Sequence, residues 1–177
     1  MIEYKSTPDL DLDVAHELYV ASTLGERRPI DDRPRFETMM RSANLTITAW
    51  DGELLVGISR SITDWVWCTY LSDLAVRVSH QRQGIGVELM RRTQAAAPQA
   101  KLLLLAAPAA KDYYGHVGFT KLDNAWWLLP GEELRTAVPR SSSGSSEFLG
   151  GDATAAEPGE RRAPEEPRGT EEPRGTL

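Results

Sequence analysis

Leu74-Ala-Val-Arg-Val-Ser-His-Gln81-Arg82-Gln83-Gly84-Ile85-Gly86-Val87-Glu88-Leu89-Met90 is the stretch that decides the fold. It reads as the end of a strand, a polar loop with two glycines, and then a helix. Glycine has no Cβ, so the backbone at Gly84 and Gly86 can come close to a ligand. The first turn of the helix offers unpaired N–H groups at the positive end of its dipole. Together these features suit a phosphate or pyrophosphate. A dinucleotide fingerprint would need a third glycine where Leu89 stands, and a P-loop would need Gly-Lys-Ser/Thr, so both of those readings fail. On this stretch alone, a tight strand-to-helix turn without a ligand explains the glycines about as well.

Working outward, the chain alternates strands and helices. Upstream, residues 2–6 form a short strand, and Thr7 is expected to cap a helix with Pro8 at its first position. Leu10, Val14 and Leu18 then share one face, with Ala15 and Tyr19 beside them. A charged loop, 24–33, leads to a second short helix over 34–41. Alternation at Leu45, Ile47 and Ala49 marks a half-buried strand. Asp51-Gly52 signals a hairpin with a type I′ turn, followed by a return strand over 54–62 and a third strand over 65–76. Downstream, a helix is expected over 84–97. Residues 101–107, Lys-Leu-Leu-Leu-Leu-Ala-Ala, are apolar on both faces and predict a central buried strand. A short helix over 109–116 and one or two closing strands over 119–129 complete an α/β pattern with a mixed sheet.

Composition narrows the function. The chain has 26 acidic and 20 basic side chains in 177 residues, a net charge of −6. That balance argues against a nucleic-acid partner, which needs a basic stripe. Cys68 is the single cysteine, and His16, His80 and His116 lie far apart, so neither a disulfide nor a metal site is expected. The N-terminus lacks the pattern of a signal peptide. The longest apolar runs are about nine residues, short of the ~20 a membrane span needs, so a soluble, cytoplasmic protein is expected. The composition shifts near Pro139. Residues 140–177 open with Ser141-Ser-Ser-Gly-Ser-Ser and end in a tandem repeat of Glu-Glu-Pro-Arg-Gly-Thr, with eight acids against five bases. Such a segment buries too little apolar surface to offset its ordering entropy, so the reading is a domain over 1–139 and a disordered tail over 140–177.

A second motif follows the apolar run: Ala109-Ala-Lys-Asp-Tyr113-Tyr114-Gly115-His116-Val117-Gly118-Phe119. Gln81-x-x-Gly84-x-Gly86, followed downstream by Tyr-Tyr-x-x-x-Gly-Phe, resembles the GNAT superfamily of acetyl-CoA-dependent N-acetyltransferases. The likeness covers roughly residues 1–130. It implies a mixed, mostly antiparallel central sheet with a splayed strand pair, flanked by about four helices. It also implies acetyl-CoA as co-substrate. The loop of Gln81, Arg82, Gln83, Gly84, Ile85 and Gly86, with the amides running into Val87, would hold the CoA pyrophosphate. The backbone of Ala75, Val76 and Val78 would pair with the pantetheine arm, and Tyr114 falls at the position of the family's general acid. Arg91 and Arg92 read more simply as a solvated helix face.

The chemistry agrees with the resemblance. A neutral amine attacks the thioester carbonyl, a backbone N–H near Val76 polarises the carbonyl oxygen, and a tyrosine hydroxyl protonates the departing thiolate. Tyr113 and Tyr114 point about 100° apart on a helix, so only one can take that role. Asp73 is expected on a strand face with Trp65, Trp67, Leu71 and Ala75. A carboxylate among apolar neighbours needs a reason, and Asp73 is the candidate for activating or holding the amine. Arg60 and Asp64 are weaker candidates for the same pocket. The run from Leu55 through Asp64, then Leu71-Ser-Asp73-Leu-Ala-Val76, is similar to plant-type arylalkylamine N-acetyltransferases and their bacterial relatives. Trp65 and Trp67 would then give flat surfaces for an aromatic amine, though core packing explains them equally well. Cys68, without a basic partner, reads as a small buried residue rather than a nucleophile. The acceptor stays open between a small amine and a protein lysine, with the acidic total slightly favouring a cationic one. A homodimer is compatible with this reading. The alternative is a non-catalytic acyl-CoA-binding or sensor module on the same fold.

Overall fold

A computed structural model describes residues 1–134. The expected boundary at Pro139 and the tail over 140–177 lie outside the described residues. Met1–Ala125 form one compact unit, and a second begins at Trp126, of which the described part contains a turn closed by the Glu132 N–H donating to Leu129 O.

Five strands form the sheet of the first unit, side by side in sequence order: β1 (Ile2–Ser6), β2 (Leu45–Asp51), β3 (Leu54–Thr63), β4 (Cys68–Val76) and β5 (Lys101–Leu103). The first four are antiparallel, and β5 joins β4 in parallel. Helices α1 (Leu12–Ala21), α2 (Arg33–Arg41), α3 (Ile85–Ala96) and α4 (Tyr113–His116) complete the fold. Side chains of β4 alternate between two cores. Ala75 joins Leu18, Tyr19, Phe36, Met40 and Ile58 against α1 and α2. Leu74 and Val76 pack with Ile47, Val56, Ile85 and Leu89 against α3. The expected α/β architecture with a mostly antiparallel sheet is the observed one.

Several local expectations are corrected. Helix α1 starts at Leu12, because the Asp11 carboxylate accepts from the Asp13 and Val14 amides at 2.9 and 3.1 Å. Thr7 instead extends the β1–β2 contact, its hydroxyl 2.8 Å from that of Thr48. The β2–β3 hairpin turns on Gly52 and Glu53, and only Gly52 has positive φ, +60°, so the type I′ geometry is not adopted. Strand β4 begins at Cys68 rather than Trp65. The Asp64 carboxylate accepts the amides of Val66, Trp67 and Cys68 at 2.8–3.1 Å and folds the intervening residues into a turn. The apolar run 101–107 supplies only the three residues of β5, which lie at the sheet edge among the described residues. No strand forms over 119–129. Apolarity on both faces marks a central strand only when a neighbour pairs on each side, and here just one does.

Two register shifts shape the middle of the sheet. Val56 is extra in β3 opposite Ala49 and Trp50, and Ser72 is extra in β4 opposite Arg60 and Ser61. Such bulges bend a strand and free its backbone groups. Between them, Gly57 lets α3 lie directly on the sheet. A Cβ there would come within 3.0 Å of Leu89 Cδ1, 3.2 Å of Ile85 Cγ2 and 3.3 Å of Ala75 O. Gly57→Ala is therefore expected to destabilise the domain by about 1–3 kcal/mol, read from urea unfolding midpoints. An unchanged midpoint would show that α3 can stand off without loss.

Candidate active site

The parallel ladder between β4 and β5 spans only Cys68–Tyr70 and Lys101–Leu103. Beyond it the strands part. Among the described residues, the β5-facing edge of β4 from Leu71 to Val76 has no strand partner, while Ala75 and Val76 pair with Ile58 and Gly57 on the other side. At the tip of this splay the chain turns. The Arg77 N–H donates to Val56 O at 2.8 Å, and Val78 starts a single 3-10 turn to His80. Val78 is thus past the strand end, unlike Ala75 and Val76. Gln81 folds back, its Nε2 donating to Val76 O at 3.0 Å. Arg82 and Gly84 take positive φ, +61° and +82°, and Gly84 becomes the N-cap of α3.

The first helical bond runs from Glu88 N–H to Gly84 O, so the amides of Ile85, Gly86 and Val87 have no acceptor within the helix. Gly84 is explained by its left-handed backbone. Gly86 is not: its φ is helical, and a Cβ would find only Val76 Cγ2, at an ordinary 3.8 Å. A glycine in a helix costs about 1 kcal/mol relative to alanine, and nothing in the packing at Gly86 offsets that. On the exposed face of α3, Arg91 and Arg92 pair with Glu88.

Asp73 lies on β4 beside the bulge, with its carboxylate fully buried. Its Oδ2 accepts from Tyr19 Oη at 2.8 Å and from Arg60 Nε at 2.5 Å. Its Oδ1 accepts from Arg28 Nε at 2.6 Å and forms an ion pair with Arg28 Nη2, also at 2.6 Å. A carboxylate offers about four lone-pair sites, and three hydrogen bonds and two ion pairs engage this one. The structure places Asp73, expected to activate or hold the amine, with its carboxylate buried between Arg28, Arg60 and Tyr19. Arg60, the weaker candidate for the same pocket, sits in the same network. It is buried, and its other contacts are Met39 O and Ser72 Oγ. Burial works against its charge, but Asp73 and then Tyr19 outweigh that and raise its pKa. Burial, followed by the charge of Asp73, pushes the Tyr19 phenol far upward.

Tyr114 stands on α4, half-buried, edge-on to Phe119 and Tyr113. Burial raises its pKa, the neighbouring Tyr113 adds to this, and the Arg27 guanidinium opposes it. The phenol therefore keeps its proton at neutral pH. Tyr113 is exposed. Asp64, Trp65 and Trp67 are not brought to the Gly84–Gly86 loop. They sit in the β3–β4 turn, at the other end of a nine-residue strand from Val76, about 26 Å away at ~3.3 Å per residue. Asp64 is held below the ordinary carboxylate range by the Cys68 amide first, then that of Trp67. Trp67 stacks under Lys101. Cys68 is partly buried. Tyr19 and Arg28 are absent from the sequence-based site. Tyr19 looks like one more core residue of α1, and Arg28 one base in a charged loop. The available signal was a lone Asp and a lone Arg on adjacent, otherwise apolar strands.

Residues 29–126, more than half of the chain, match the acetyltransferase (GNAT) domain family. The chain belongs to that family, a class of acetyl-CoA-dependent N-acetyltransferases. No curated protein matches it in sequence. A GNAT-family acetyltransferase from Streptococcus pneumoniae TIGR4 is similar in structure, with a TM-score of 0.56, 23% identity, and coverage of 73% of this chain and 99% of that one. A GNAT-family protein from Xanthomonas campestris pv. campestris gives a TM-score of 0.56 at 19% identity, covering 78% and 94%. Aminoglycoside N-acetyltransferase AAC(6')-Iy, in complex with the bisubstrate analogue CoA-S-monomethyl-acetylneamine, gives 0.57 at 10% identity, covering 73% and 97%. These are likenesses of fold.

Asp73→Ala removes the carboxylate shared by Arg28 and Arg60 and leaves the buried Arg60 guanidinium without its counter-charge. Breaking a buried ion pair in this way costs about 3–5 kcal/mol, whereas Tyr19→Phe, which removes one hydroxyl, is expected to cost about 1–2 kcal/mol. Thermal unfolding of both variants checks the order, and equal small losses would contradict the network.

Proposed function

We propose that this protein transfers an acetyl group from acetyl-CoA directly to a primary amine, with both substrates bound together, as a soluble cytoplasmic enzyme. The observation that carries the reading is Gly86, a glycine the fold does not require, beside free helix amides and the open edge of β4. Among the described residues no helix is long and apolar enough to cross a membrane.

In this reading the amides of Ile85, Gly86 and Val87, with the loop over 81–84, bind the pyrophosphate at the positive end of α3. Gln81 ties that loop to Val76 O, so pyrophosphate and pantetheine subsites keep a fixed spacing. The pantetheine arm adds to the unpaired edge of β4 near Ala75 and Val76, as an extended chain would add to any open sheet edge. A backbone N–H at the splay polarises the thioester carbonyl. The amine reaches it as the free base, its proton lost to water rather than to Asp73, whose carboxylate is buried beneath Arg28, Arg60 and Tyr19. Tyr114 donates its phenolic proton to the departing thiolate as the C–S bond breaks, and the proton shed by the newly acylated nitrogen returns through water to the phenolate. Arg27, close enough to favour the phenolate, supports the donation. The catalytic domain is read as spanning 1–139.

Gly86→Ala tests the cofactor half. The variant is expected to melt at or above the wild-type temperature, because alanine favours the helix. Its affinity for acetyl-CoA by calorimetry is expected to fall about tenfold or more, roughly 1.4 kcal/mol. Retained affinity would remove the α3 terminus from the binding site. Tyr114→Phe tests the acid. kcat for thiol release is expected to drop about 100-fold with acetyl-CoA affinity nearly unchanged, while Tyr113→Phe stays close to wild type. Full kcat in Tyr114→Phe would mean the thiolate leaves unaided or is protonated by water.

A further inference from the structure

We propose that Arg28 sets acceptor specificity, and that the amine acetylated by this protein carries an anionic oxygen group, a carboxylate or a phosphate, that docks on it. The inference rests on the acetyl-transfer reading above and names the substrate class of that site.

The cluster at the β4 bulge does not balance its charge. Two guanidiniums, Arg28 and Arg60, meet one carboxylate, Asp73. A surplus buried cation is costly unless an anion reaches it. Arg60 has little means of receiving one, because its side chain is only 4% exposed. Arg28 does: its side chain is 25% exposed, so the surplus charge reaches the surface there. The side chain is also fixed in place. Its Nε donates to Asp73 Oδ1, Nη2 lies at ion-pair distance from the same oxygen and donates to Ser72 O at 2.9 Å, and Nη1 donates to Arg27 O at 2.8 Å. A guanidinium has five N–H donors. The hydrogen bonds use three of these and leave one N–H on Nη1 and one on Nη2 outside them. Asp73 thus acts as a positioning residue, since it presents Arg28 at the β4 bulge.

The neighbouring charges are mixed. Arg27 is exposed and has no ion-pair partner among the described residues. It lies near enough to Tyr114 to act on its hydroxyl. The segment carrying Arg27 and Arg28 reaches the bulge on β4 through Arg28, and it brings two adjacent positive charges to that part of the sheet. Glu26, Asp31 and Asp32 on the same segment are exposed, and Asp32 is engaged in capping α2. An anionic group is therefore drawn by the placement of Arg28 at the bulge and not by the net charge of the segment.

The experiment is steady-state thiol release with matched acceptors: β-alanine against propylamine, phosphoethanolamine against ethanolamine, and tryptophan against tryptamine. The wild-type protein is expected to prefer an acid-bearing member by about tenfold or more in kcat/KM, mainly through KM, an amount typical of one charge-assisted contact. The pair with the larger preference distinguishes carboxylate from phosphate. Arg28→Gln is expected to lower kcat/KM for the acid-bearing member at least about tenfold more than for its plain partner. Plain amines equal or better in every pair, or an equal loss on both members in Arg28→Gln, would overturn the proposal. If Arg28→Gln does not fold, the wild-type comparison decides alone. Calorimetry with acetyl-CoA separates the two readings: binding with no acid preference sinks only the specificity proposal, whereas no binding sinks the transfer reading and this one with it.

Discussion

A single buried carboxylate holds the centre of this molecule together. Asp73 joins four parts of the chain that are distant in sequence: β4, which carries it; β3, through Arg60; α1, through Tyr19; and the segment after α1, through Arg28. Removing any partner leaves a charge or a hydroxyl without its mate in a dry interior, which is where such losses are largest. The bulge at Ser72 belongs to the same construction. An extra residue in a strand exposes a carbonyl that the ladder cannot pair, and the two arginines take up that carbonyl and the hydroxyl beside it.

The splay follows from how β4 is shared. One edge of the strand is paired along its length with β3, and the other is paired only over its first three residues. Helix α3 is seated on β3 by the absence of a side chain at Gly57, so its N-terminus comes to rest beside the unpaired end of β4. An open strand edge and a free helix terminus then meet at Val76. The fold thus sets an unpaired strand edge beside free helix amides, the two features that the proposed pantetheine and pyrophosphate subsites need.

Much of this was legible in the sequence. The strand–loop–helix around Gly84 and Gly86, together with the Tyr-Tyr-x-x-x-Gly-Phe run, carried the family and hence the sheet and its splay. The three-stranded meander of β2, β3 and β4 followed from alternation and turn residues. What escaped was decided by tertiary partners. Lys101-Leu-Leu-Leu-Leu looks central, but burial on both faces depends on which strands arrive alongside. Trp65 looks like a strand residue until Asp64 gathers three amides into a turn. Asp73 stood out as a carboxylate among apolar neighbours, but its role turned on which of many bases reached it. Arg28, 45 positions away and in a loop without periodicity, leaves no local trace of that contact.

The central claim, that acetyl-CoA lies along the open edge of β4 with its pyrophosphate on the N-terminus of α3, is tested most directly by backbone amide NMR during a titration with acetyl-CoA. The expected result is that the largest shifts fall on the amides of Ile85, Gly86 and Val87 and on those of Ala75 and Val76, with Trp65 and Trp67 undisturbed. Shifts confined to the β3–β4 turn or to the outer face of α3, or no shifts at millimolar acetyl-CoA, would contradict it.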